Sequence, residues 1–142
     1  MPVQSIFREL CHQRGLAATR QRQVIYEAIM ALRDHPGPEL IYEKALRRIP
    51  SISLATVYKN LHVFLDSGML QEVGPQHGSI RIETNPKPHH HLICTSCKTI
   101  WDLHEGALRP LELNKKKLQG FEVKRVSIDV LGLCEACAAA QS

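Results

Sequence analysis

The stretch His89-His90-His91-Leu92-Ile93-Cys94-Thr95-Ser96-Cys97, answered downstream by Cys134-Glu135-Ala136-Cys137, decides how the C-terminal part of this chain folds. Each Cys-x-x-Cys turn brings two sulfurs to one point, and two such pairs match a tetrahedral all-thiolate zinc site that clamps separate segments together. A redox dithiol would be expected beside a βαβ unit, which the surrounding sequence does not suggest. Two disulfides would suit a secreted chain. Met1-Pro2-Val3-Gln4-Ser5, however, leads into polar, helix-like sequence rather than the apolar core of a secretory leader. A reducing cytoplasm is therefore the expected compartment. The fifth cysteine, Cys11, reads as a small buried apolar side chain.

Working outward, the 142 residues fit one domain or two small ones. An apolar share of 44% against 23% charged residues marks a globular chain rather than a disordered one. No apolar run is long enough to span a bilayer. The net charge of +4 hints at a polyanionic partner without deciding one. Residues 1–84 carry 10 Lys/Arg against 8 Asp/Glu, and residues 85–142 carry 8 against 6, so basic charge is not concentrated in either part. A nucleic-acid site has to come from local arrangement.

Residues 1–84 read as helices followed by a hairpin. Ile6, Leu10 and Cys11 suggest a short helix ending near Gly15. Thr19 is placed to cap a second, whose apolar stripe is Val24, Ile25, Ala28, Ile29 and Leu32. Asp34-His35-Pro36-Gly37-Pro38 stops it, and a third helix runs from Pro38 to about Arg48. Ser53 caps a fourth, Leu54 to Ser67, closed by Gly68. Leu54, Val57, Leu61, Phe64 and Leu65 form its inward face, leaving Ala55, Thr56, Tyr58, Lys59 and His62 outside. Met69–Val73 and Ile80–Glu83 then read as strands around a Gly-Pro-Gln-His-Gly-Ser turn. Helix, turn, helix and hairpin is the order of a winged helix-turn-helix, whose recognition helix meets base edges in the major groove. The pattern fits equally a small helical domain with an ordinary solvated face.

Asn85-Pro86-Lys87-Pro88 is a short stiff hinge, and residues 89–142 form a second unit. Strands are expected at His91–Cys94, Thr99–Leu103 and Phe121–Leu131, with a helix over 105–119 despite Pro110. Trp101 is expected in the core and Lys115-Lys116-Lys117 on a solvated face. Such a unit is too small to bury much core alone, so zinc and a paired sheet or dimer would complete it. The fold class is α+β.

The chain resembles the Fur (ferric uptake regulator) superfamily of bacterial metal-dependent repressors over nearly its whole length. The blocks "GLAATRQRQVIYEAI", "HPGPELIYEKAL", "ISLATVYKNLHVFLDSGMLQEV", "HHHLICTSCKTIWDLH" and "GFEVKRVSIDVLGLCEAC" match in order. Within it, "ATVYKNLHVFLDSG", "IWDLHEGAL" and the compact tail are most similar to the peroxide-stress (PerR) branch. The resemblance implies a homodimeric repressor of double-stranded operator DNA, with structural zinc on Cys94, Cys97, Cys134 and Cys137. It implies a regulatory Fe(II) or Mn(II) site, which zinc also fills where available, on His35, Glu83, His89, His91 and Asp102. Tyr58 and Lys59, with Thr56, match the DNA-contacting segment, and Arg20 a phosphate contact. Neither a membrane nor a small-molecule substrate beyond metal and peroxide is implied.

The physical chemistry agrees with that set. His89 and His91, two apart on an extended segment, project to one side, and imidazole with carboxylate suits Fe(II) and Mn(II). Five ligands leave a position where peroxide could reach iron, and the resemblance to the peroxide branch implies that an adjacent imidazole, His35 or His89, is then the target of oxidation. Two positions depart from the peroxide-sensor pattern in opposite directions. Glu83 stands where those members usually carry aspartate, and Asp102 where iron sensors more often carry glutamate. The extra site of many iron sensors would fall on Pro88, His90, Arg109 and Val126, of which only His90 can coordinate, so peroxide-type sensing is the favoured expectation. His90 itself is expected to face away from the metal. His12, His62 and His77 have no partner at ligand spacing, His62 being placed to meet a phosphate, and His104 reads as a strand-end polar group. An enzyme using the same metal would need a positioned nucleophile or base and a substrate motif, and none is visible. A metal buffer would not need an exposed recognition helix.

Overall fold

The computed structural model describes residues 2–74, 79–85, 89–103, 107–109 and 112–141. The chain divides into two compact units, Met1–Pro86 and Lys87–Ser142. The hinge residues 86–88, His77 in the wing turn and His104 lie outside the described residues.

In the first unit four helices precede a hairpin: α1 (Val3–Gln13), α2 (Arg20–Ala31), α3 (Pro38–Leu46), α4 (Leu54–Asp66), then antiparallel β1 (Gln71–Glu72) and β2 (Ile82–Glu83). Local chemistry sets the boundaries. The Thr19 hydroxyl accepts from the Arg22 N–H and the Ser53 hydroxyl from the Thr56 N–H, each satisfying a helix-start donor for about 1 kcal/mol. Pro38 opens α3, where its missing N–H costs nothing. Gly68, at φ 77°, turns the chain out of α4 in a conformation that side chains disfavour.

The helices close on one core. Phe7, Val24, Ile25, Ile29, Ile41, Val57, Leu61 and Phe64 are fully buried, and Ile82 from β2 joins them. Phe7, Tyr26 and Phe64 tie α1, α2 and α4 together, with ring centroids 5.4–6.4 Å apart. Leu54 departs from the expected inward face: at the first position of α4 it is 36% exposed, beyond the reach of the core. Asn60 is buried in its stead. The hairpin is shorter than expected, pairing Gln71 with Glu83 and Glu72 with Ile82, and Val73 adds one bond to Arg81.

The second unit is a three-stranded sheet in the order β4-β3-β5, from β3 (His90–Cys94), β4 (Ile100–Leu103) and β5 (Asp129–Gly132), followed by α5 (Glu135–Ala140). β3 pairs antiparallel with β4 and parallel with β5. Three expectations are corrected here. The strand over 121–131 is formed only from Asp129; just before it the Ile128 carbonyl accepts from the His91 N–H at 3.1 Å, while Phe121, at the far end of the run, is 73% exposed. The helix over 105–119 is absent among its described residues, which hold only a 3-10 turn, Lys115–Leu118, started by the Asn114 side chain. Gly106 and Pro110 interrupt the stretch and three adjacent lysines repel one another. Trp101 is 42% exposed, because the sheet face it occupies has no covering layer among the described residues of this unit. Among the described residues no helix is long and apolar enough to cross a membrane.

Candidate metal centres and nucleic-acid face

The four cysteines come together in the second unit. Cys94 ends β3, and the turn through Thr95 and Ser96, closed by the Lys98 N–H on the Cys94 carbonyl, swings Cys97 back beside it. β5 runs alongside β3, pairing Gly132 with Cys94, and delivers Cys134 at the start of α5. Cys137 follows one turn later. One sulfur from each cysteine lies within 4.8 Å of the others, and Cys97 and Cys134 are 3.9 Å apart. That is far beyond a disulfide bond. It matches the edge of a tetrahedron with ~2.3 Å metal–sulfur bonds, about 3.8 Å.

The environment prepares these thiols unequally. Hydrogen bonds from the backbone N–H of Cys134, then of Cys97, lower the Cys94 thiol to about 6. The Thr99 hydroxyl, 3.2 Å away, lowers Cys97. The bond with Cys134 raises Cys137 to about 11. Crowded thiols thus share protons that a divalent cation displaces. Four soft donors at tetrahedral spacing fit structural zinc.

The imidazole and carboxylate residues fall into two sets. In the first unit the His35 Nε2 lies 3.6 Å from Glu83 Oε2, with both side chains less than one-tenth exposed. The other Glu83 oxygen accepts from the Asn85 N–H at 2.8 Å. In the second unit His91 and Asp102 are register partners across β3 and β4. The same Asp102 oxygen lies 2.9 Å from His89 Nε2 and 3.5 Å from His91 Nε2, and the two rings are 4.6 Å apart. His91 is buried, His89 half-buried, and Asp102 opens to solvent. His90 turns the opposite way, its Nδ1 accepting from the Ile128 N–H at 3.0 Å. Both sets are sulfur-free nitrogen–oxygen clusters able to hold a divalent cation.

On α4, Lys59 and His62 are exposed while Thr56 and Tyr58 are half-buried. The Tyr58 hydroxyl donates to Glu39 of α3 at 3.2 Å; slight desolvation and then that carboxylate raise its pKa. Thr56 Oγ1 lies 2.8 Å from the Ser53 hydroxyl. Arg20, the first residue of α2, is exposed. Two residues unremarked in the sequence stand out. Arg22 donates to buried Asn60 at 3.1 Å, joining α2 to α4, and the mark left in the sequence is an asparagine on an otherwise apolar helix face. Arg81 bonds the carbonyls of Asp34 and His35, and its mark is an arginine between two isoleucines.

A family model described as the ferric uptake regulator family matches residues 13–131. Over 123 residues the chain is 33% identical to the peroxide-responsive repressor PerR of Staphylococcus epidermidis, covering 87% of this chain and 82% of that protein. Among solved structures it is similar to a zinc-bound manganese uptake regulator, with 27% identity and a TM-score of 0.64 over 90% of this chain and 98% of that one. It also superposes on the Helicobacter pylori ferric uptake regulator, with a TM-score of 0.74 over 100% and 97% of the two chains; at 17% identity this likeness concerns the fold alone.

Proposed function

This chain belongs to the ferric uptake regulator family, as a metal-dependent transcriptional regulator rather than an enzyme, and on that premise we propose a cytoplasmic, homodimeric repressor that releases operator DNA on meeting peroxide. The observation that carries the proposal is the donor chemistry of the two sulfur-free clusters, His35 with Glu83 and His89 and His91 with Asp102. One Fe(II) or Mn(II) ion held by all five ties the DNA-binding unit (1–84) to the dimerisation unit (89–142) across the hinge 85–88. The tie fixes the spacing of the two α4 helices in the dimer. DNA then selects the tied dimer, so metal and operator strengthen each other's binding by the same factor.

Tyr58, Lys59 and Thr56 on α4 meet the DNA, and Arg20 meets a phosphate. Structural zinc on the four cysteines holds the second unit. Its exposed apolar side chains, Leu92, Trp101, Val130, Leu131 and Leu133, supply the surface that the second copy covers.

Fe(II) held there would supply the redox chemistry that activates peroxide, which Mn(II) in the same place would not. The residues' part is to hold an imidazole, His35 or His89, beside that chemistry. One peroxide oxygen enters the imidazole, the other leaves as water, and this two-electron oxidation removes a ligand and loosens the units. A second reading, an iron-responsive repressor that senses occupancy alone, is favoured by one side chain, Glu83, which is one methylene longer than the aspartate expected of a peroxide sensor. Anaerobic loading with Fe(II) or Mn(II), followed by sub-stoichiometric peroxide and peptide mass spectrometry, separates them. Peroxide sensing requires one added oxygen on the His35 or His89 peptide, with iron and not with manganese. An unmodified iron-loaded protein that simply gains and loses DNA affinity with Fe(II) leaves the occupancy sensor. DNA binding unaffected by chelation of every metal would overturn both.

A further inference from the structure

We infer, resting on the ligand assignment proposed above, that Arg81 is a positioning residue for the regulatory cation: it holds the loop that presents His35, while its own strand presents Glu83. The starting point is a backbone anomaly. Asp34 and His35 are consecutive non-glycine residues with φ of 63° and 59°, in the left-handed region that side chains disfavour. Two such residues in a row persist only where their surroundings over-determine them.

Residues 80–82, which lead into β2, do this residue by residue. The Arg81 Nε donates to the His35 carbonyl at 2.5 Å and its Nη2 to the Asp34 carbonyl at 3.3 Å. The Ile82 N–H donates to the Pro36 carbonyl at 3.0 Å. At Gly37 the two segments run so close that a Cβ would meet the Ile80 carbonyl oxygen at 3.4 Å and Arg81 Cδ at 3.7 Å. Residues 34–37 are thus laid along residues 80–82, and the planar guanidinium grips two successive carbonyls as a single ammonium would not.

Strand alternation completes the device. Ile82 points into the core at 0% exposure, so Arg81 and Glu83 share the other face. One strand therefore carries both the clamp on the histidine loop and the carboxylate 3.6 Å from the histidine. The contacts that hold His35 and Glu83 side by side are thus made within the protein itself. Without the guanidinium, binding would have to order the left-handed loop as well.

The test is direct Mn(II) binding to the zinc-loaded, full-length protein, read as loss of the free Mn(II) electron paramagnetic resonance signal. Arg81→Ala is expected to weaken Mn(II) binding by roughly tenfold to a hundredfold, the usual cost of removing a group that orients a metal ligand. Arg81→Lys, which keeps the charge and one donor, should recover part of the loss and serves where alanine compromises folding. Because Arg81 acts through His35, the double variant His35→Ala/Arg81→Ala should bind no more weakly than His35→Ala alone. A merely structural role predicts a lower melting temperature with an unchanged Mn(II) titration, and that result overturns the inference. If His35→Ala abolishes binding while Arg81→Ala and Arg81→Lys bind like the parent, positioning by Arg81 fails and the ligand assignment stands. If His35→Ala itself binds Mn(II) like the parent, the ligand assignment fails and takes the inference with it.

Discussion

Replacing Asn60 with alanine tests whether α4, the proposed recognition helix, is held by a buried polar tie or by apolar packing alone. Asn60 is 7% exposed; its Oδ1 accepts from the Arg22 Nε at 3.1 Å, and its amide donates to the Thr56 carbonyl at 2.9 Å. A hydrogen bond to a charged group contributes about 1.5–3 kcal/mol, and its loss leaves a half-buried guanidinium one acceptor short. The Thr56 bond lies within one helix turn and adds little. Alanine returns about half a kcal/mol of helix propensity. The net expected cost is about 1–2.5 kcal/mol, a large part of the stability of a unit this size.

The sequence offers separate optical handles. All three tyrosines and the four long helices lie in the first unit, and the single tryptophan, Trp101, in the second. Urea unfolding followed by helical circular dichroism should show the loss, while Trp101 fluorescence of the same sample keeps its midpoint. In a double-mutant cycle with Arg22→Met, the pair should couple by roughly 1.5 kcal/mol, since either change alone already breaks the bond. Arg22 also donates to the Ala17 carbonyl at 3.0 Å, so its single variant should cost more than Asn60→Ala. An Asn60→Ala cost below about 0.5 kcal/mol, or strictly additive single variants, would refute the tie.

Three further outcomes are expected. Cys94→Ser should lose zinc and the dimer together, whereas His35→Ala should remain a zinc-loaded dimer that no longer binds DNA; light scattering with metal analysis would expose a swapped assignment. At Glu27, burial pushes the carboxyl up, but hydrogen bonds from Arg48 and Gln23 and the charge of Arg48 outweigh it and leave it below its ordinary 4.5. A folded value below the unfolded one adds stability above pH 4.5 that fades as pH falls through the folded value. With Arg48 46% exposed, that stability is at most about 1 kcal/mol. Glu27→Gln should therefore unfold more easily than the parent at pH 7, with the difference shrinking as pH falls below 4.5 in urea titrations.

What the sequence made legible was chemistry that acts within a few residues. Thr19, Ser53, Pro38 and Gly68 mark their helix ends because caps and turns are local events, and the two Cys-x-x-Cys pairs announce a cluster because each turn needs only its own four residues. The illegible parts depend on distant neighbours. Val126, Ile128 and Val130 alternate in the sequence as a strand would, yet β3 pairs with only the last residues of that run. Trp101 looks like core because tryptophan usually is, but its burial depends on what covers a sheet face. Arg81 and Asn60 are polar residues inside apolar patterns, and only the fold shows which carbonyl or guanidinium waits for them. The regulatory set is legible only through family resemblance, since no spacing rule joins His35 to a carboxylate 48 positions later.

That carboxylate also bears on the choice between the two modes of sensing. A glutamate in place of an aspartate argues against peroxide sensing if its extra reach lets both oxygens grip the cation and close the position peroxide needs. The geometry inside the first unit works against such a grip. Glu83 Oε1 already accepts from the Asn85 N–H at 2.8 Å, while Oε2 is the oxygen facing His35. With one oxygen engaged by the backbone, the side chain is set to offer a single oxygen, as a shorter carboxylate would. To chelate with both, it would have to give up the Asn85 bond, a charge-assisted interaction of about 1.5–3 kcal/mol. The longer side chain is thus taken up by its own backbone two residues on, and its length alone does not decide against ligand oxidation.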